Sequence, residues 1–81
     1  MPTAEAMTFC TSYSTHCSFT GAMRYMSMAD CLTKFAGFAM NLKTCVKEHL
    51  ENVVDAMGTA DYEPYKTIHC PHATAINCPG T

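Results

Sequence analysis

The chain contains no tryptophan, and only 15% of its 81 residues are charged. Five basic residues face seven acidic ones, for a formal net charge of −2. The basic side chains (Arg24, Lys34, Lys43, Lys47 and Lys66) are scattered. Nucleic acid and anionic membranes are recognised through a basic face, so neither is expected as a partner. No apolar run approaches the ~20 residues of a membrane-spanning helix. The sequence also lacks a glycine-rich phosphate loop, a nucleophile elbow and a protease motif. Asp30 and Glu63 show no paired-carboxylate arrangement. No enzyme is expected.

The opening residues, Met1 to Met7, have neither the positive n-region nor the apolar h-region of an export signal. The expectation is a processed mature form, because the cysteine content points to an oxidising compartment where disulfides persist.

What the chain does have is cysteine, six in all. A single domain of this length buries roughly 60 to 65% of the surface its unfolded form exposes, so its core needs a staple. The even count allows three bridges with no thiol left over.

Three helical segments followed by an irregular tail are predicted, an all-α fold in one domain over residues 1–81. The clearest helix covers about 42–57. Leu42, Cys45, Val46, Leu50, Val53, Val54 and Met57 fall close to the i, i+3, i+4, i+7 series, with Lys43, Lys47, Glu48, Glu51 and Asp55 opposite. Asn41 is the expected N-cap and Gly58 the C′ residue. A second helix, about 28–39, opens on the capping sequence Ser27-Met28-Ala29-Asp30 and carries Cys31, Leu32, Phe35 and Ala36 on one stripe. A first helix, about 4–17, starts from Thr3 and aligns Ala6, Phe9, Cys10, Tyr13 and Cys17. Its Thr11, Ser12, Ser14 and Thr15 are poor helix formers, so tertiary contacts must hold it. The stretch 58–81, with Pro64, Pro71, Pro79 and Gly80, is expected to be an extended tail.

Six cysteines permit fifteen pairings. In an up-down-up bundle the end of the first helix meets the start of the second, which favours Cys17–Cys31. The third helix then brings Cys45 to Cys10, and Cys70–Cys78 closes a loop in the tail. The alternative crosses the tail onto the bundle, for example through Cys10 and Cys70.

The densest chemical constellation is His69-Cys70-Pro71-His72, with Cys78 nearby. Two imidazoles and two sulfurs could form a Cys₂His₂ zinc site. The spacing matches no standard zinc module, and Cys70 in a disulfide could not be a thiolate ligand. The cluster therefore reads first as a tail anchor. No cofactor is expected, and His69 and His72 are the candidate ligands if a metal is held. His16 and His49 sit near apolar stripes and could pair with the tail histidines; for His49 a hydrogen bond to a tail carbonyl is the modest expectation.

Seven methionines are many for this length. Met23, Met26 and Met28 cluster with Phe19 and Tyr25 around the first connection. Met recurs on adaptable binding surfaces, so these five residues form the candidate partner-binding patch.

The order of features resembles an uncharacterised type of small cysteine-rich domain found in exported proteins of microbes and algae. The matching stretches are Cys10 to Cys17, Thr20-Gly21, Tyr25-Met26-Ser27-Met28-Ala29-Asp30-Cys31, Cys45 to His49, His69-Cys70-Pro71-His72-Ala73, and Cys78. The segment from His69 to Ala73 is the most specific. Such domains carry a further cysteine late in the second helix, where this chain has Phe35 to Phe38, so no disulfide scheme is carried over. The resemblance implies export and a structural role for the tail, and no activity.

The leading functional expectation is a non-enzymatic structural or interaction protein, an accessory subunit docking through a protein partner on a larger assembly in an oxidising lumen or outside the cell. A secreted signalling or effector protein is the second expectation. The third is a metal- or haem-binding protein using His69, His72 and His49.

Overall fold

Each helix begins where the chain supplies its own acceptor or can do without one. The computed structural model describes residues 3–21 and 23–75. Thr3 opens α1 (Ala4–His16), its Oγ1 accepting the Ala6 N–H at 3.1 Å. Ser27 opens α2 (Met28–Gly37) by accepting the Asp30 N–H at 3.1 Å. The Asp30 carboxylate accepts the Met26 N–H in return, at 2.9 Å. That arrangement satisfies one donor of the first turn and one just ahead of the N-cap. α3 (Met40–Asp55) follows after only Phe38 and Ala39, both extended, and has no side-chain cap. Asn41 therefore lies inside its first turn and is not the N-cap. Gly58 takes a φ of +84° just beyond the helix, a conformation glycine adopts without strain.

The chain is all-α, as the periodicity implied, but it has four helices. The stretch expected to be an irregular tail instead forms α4 (Tyr62–His72). Both prolines fall where a helix tolerates them. Pro64 sits in the first turn, whose N–H groups have no intrahelical acceptor in any case. Pro71 sits in the last turn, where it costs one backbone bond. The Ala73 N–H still reaches the His69 carbonyl at 2.8 Å and closes the end.

The core lies where α1 crosses the other elements. Ala6, Phe9, Cys10, Tyr13 and Cys17 are all buried on one face, and they meet Tyr25, Cys31 and Phe35 from the second segment. Phe9 stacks on Phe35 at 4.8 Å between ring centroids, and Tyr13 meets Tyr25 edge-on at 4.8 Å. These aromatic contacts hold α1 as a helix despite its run of Ser and Thr. Val46, Leu50 and Val53 of α3, Cys70 of α4, and Ala73 and Ala75 just after α4 complete the core.

The disulfides depart from the expected pairing. Cys10 bonds Cys31, and Cys17 bonds Cys70. Neither Cys10–Cys45 nor Cys17–Cys31 nor Cys70–Cys78 forms. The physical cause is the connection from residue 17 to residue 27. A tight hairpin would set Cys31 beside Cys17. Instead Tyr25 packs edge-on against Phe9 and Tyr13 on the α1 face, so the chain runs back along α1 by about two turns before α2 begins. Cys31 then meets Cys10 in mid-helix, and Cys17 at the helix end is left for α4. The result crosses the C-terminal segment onto the bundle, which was the alternative arrangement, though through Cys17 and not Cys10. Cys45 is also disulfide-bonded, and among the described residues no cysteine is free. Cys78 lies outside the described residues. Disulfides of this kind are compatible with an oxidising, exported environment. Among the described residues no helix is long and apolar enough to cross a membrane.

Candidate metal centre

The last turn of α4 is tied down from three directions. Cys70 is bonded to Cys17 at the end of α1. The Tyr25 hydroxyl donates to the Ala73 carbonyl at 2.8 Å, and the Tyr13 hydroxyl donates to the Cys70 carbonyl at 3.4 Å. C-terminal helix carbonyls have no intrahelical donor, so two buried phenols supply what the backbone lacks. Burial in turn penalises the phenolates. It pushes the Tyr13 phenol up to about 12 and raises that of Tyr25 further.

This anchored turn carries His69 and His72. At a spacing of three residues they share one helix face, and that face lies against α3. His49 meets them from α3, one position before buried Leu50. Its Nδ1 lies 3.1 Å from Nδ1 of His69, close enough for one ring to donate to the other. The expected bond from His49 to a tail carbonyl is replaced by this imidazole pair. The His49 ring centroid is 4.8 Å from that of His72 and 5.3 Å from that of His69. One ring nitrogen from each of the three falls within 4.8 Å of the others, and all three residues are half-buried.

Burial, followed by the proximity of His72 and His69, holds the His49 imidazole below its ordinary value, while Glu48 acts the other way. Burial, followed by His72, lowers His69 as well. Both rings thus favour the neutral form, which has one lone-pair nitrogen each; in the Nδ1–Nδ1 contact one nitrogen carries the proton that a bound ion would replace. A tetrahedral ion at 2.0–2.1 Å from each nitrogen sets its donors about 3.3 Å apart. The His49–His69 separation is already near that figure, and the third nitrogen, from His72, lies within 4.8 Å of both. The donor set is selective. Calcium and magnesium take oxygen ligands, soft ions take thiolates, and imidazoles suit zinc, copper and nickel.

Of the residues singled out in the sequence, His69 and His72 come together here and His49 joins them. Cys70 does not take part, being bonded to Cys17, so a Cys₂His₂ site is ruled out. His16 lies elsewhere, its Nδ1 paired with the Tyr62 hydroxyl at 2.9 Å. Glu63 pairs with Lys66 at 2.9 Å and Asp30 with Lys34 at 3.3 Å. The proposed methionine patch is divided. Tyr25 is fully buried and belongs to the core, while Phe19 and Met28 pack partly against it. Met23 and Met26 are 58% and 81% exposed. Tyr65, which the sequence did not single out, meets His69 edge-on at 5.2 Å. Its position four residues before His69 is the available signal, but only once the segment is read as a helix.

No family model, curated protein or solved structure matches this chain.

Proposed function

We propose that this protein is a small, disulfide-stapled metal carrier that holds one divalent transition-metal ion on His49, His69 and His72, working outside the cell or in an oxidising lumen. The observation that supports the reading is the convergence of three imidazoles from two helices, one of them fixed by a disulfide and two buried tyrosine hydroxyls. An imidazole pair already at 3.1 Å is a costly arrangement for two protonated rings and a favourable one for a shared cation. Titration of the oxidised, chelator-treated protein with Zn²⁺ or Cu²⁺, followed by calorimetry, tests it. One equivalent should bind, and Ca²⁺ should not compete. Zn²⁺ and Cu²⁺ binding no tighter than to a variant with all three histidines replaced would end this reading.

A second reading, docking on a protein partner, draws on the exposure of Met23 and Met26 in the connection between α1 and α2. Flexible, polarizable side chains of this kind suit an adaptable interface. Replacing both by Ser should weaken capture of the partner in a pull-down from the native source while the fold is kept. Unchanged capture would remove this segment as the contact.

A further inference from the structure

We infer that the ion held by the three histidines keeps one coordination position open to solvent beside Tyr65 and Ile68, and that this position takes an external monodentate donor, a small anion or a neutral nitrogen base. The inference rests on the metal-carrier reading and specifies what that site does with its remaining valence. Structural zinc sites are closed by four protein ligands, whereas sites that receive a ligand stop at three. Among the described residues the donor group stops at three. It contains no carboxylate, and every described cysteine is held in a disulfide. The three rings are half-buried and not sealed, so a fourth ligand has a path from outside.

The surroundings of that path are also defined. Tyr65, Ile68, His69 and His72 follow the i, i+3, i+4, i+7 series, which places them along one stripe of α4. Tyr65 is 37% exposed and Ile68 51% exposed. The Tyr65 ring meets the His69 ring edge-on. An incoming donor therefore passes an aromatic and a branched aliphatic side chain, and a ligand with an aryl body gains contact that a bare anion does not.

The test uses the oxidised full chain loaded with one equivalent of Co²⁺, whose visible bands report coordination. Azide should shift those bands saturably, with the cobalt still eluting with the protein. 4-Phenylimidazole should bind more tightly than imidazole, by about fivefold to tenfold from the aryl contact. Replacement of Tyr65 and Ile68 by Ser should erase that preference. Cobalt that binds through the three histidines but whose bands do not respond to azide or imidazole would overturn the open position alone. Bands that respond while the aryl preference is missing would overturn the role of Tyr65 and Ile68. Failure to bind Co²⁺, Zn²⁺ or Cu²⁺ at all would overturn the carrier reading itself.

Discussion

Cys70 directly follows His69, and its bond to Cys17 holds the histidine-bearing turn of α4 against the end of α1. The two cysteines are 53 positions apart, against 21 for Cys10 and Cys31. Closing the longer loop removes more entropy from the unfolded chain, about 4 kcal/mol against about 3. Replacing Cys17 and Cys70 by Ala should therefore destabilise the protein more than replacing Cys10 and Cys31. Urea unfolding of the two double variants measures the difference. Peptide mapping without reduction should recover the Cys10–Cys31 and Cys17–Cys70 linkages.

The Tyr25 hydroxyl supports the same turn by donating to the Ala73 carbonyl. Tyr25→Phe keeps the ring but leaves a buried carbonyl without its donor, a loss of about 1–3 kcal/mol. Tyr13→Phe should cost less, since its bond to Cys70 is longer at 3.4 Å. Thermal unfolding of both variants tests the order. A Tyr25→Phe protein as stable as the parent would mean that the turn is held by other contacts.

Acid should weaken the metal-free fold in two separate windows. His49 and His69 have values depressed below the ordinary 6.5, so the unfolded state binds protons before the folded state does. Their contribution is complete above about pH 6.5 and is lost as pH falls from there toward the lower folded values. Glu5 is depressed by its hydrogen bond to Lys47, and Asp30 by the Met26 N–H and Lys34. Being carboxylates, they lose their contribution only below their ordinary values of 4.5 and 3.8. Urea midpoints from pH 7.5 to 3 should show both declines. His49→Gln should reduce the upper one to the share of His69 and leave the lower one intact.

The all-helical class, the caps at Thr3 and Ser27 and the buried face of α1 were legible because each is local. A hydroxyl at a helix start or an apolar residue every three or four positions can be read within a dozen residues. α4 was not legible because Pro64 and Pro71 read as breakers. Their harmlessness depends on falling in the first and last turns, which sequence bounds do not fix. Without α4, His69 and His72 had no shared face, and the grouping of His49 with them had no geometry behind it. The disulfide pairing failed for a related reason. It depended on the path of the segment around Tyr25, and that path is set by aromatic packing on Tyr13 across the core. The same packing turned Tyr25 from a candidate contact residue into an interior one.

The central claim is that His49, His69 and His72 act together on one ion. The most direct measurement is calorimetric titration of the oxidised protein with Zn²⁺ at pH 7.5, alongside His49→Ala, His69→Ala and His72→Ala. Losing even an outer-shell partner of a metal ligand costs 10- to 100-fold in affinity, so loss of a ligand should cost on the order of 100-fold or more in each variant. The expected result is one equivalent bound by the parent, weakened to that extent by all three replacements, with the helical content unchanged. Parental affinity retained by His49→Ala would contradict a site shared between α3 and α4.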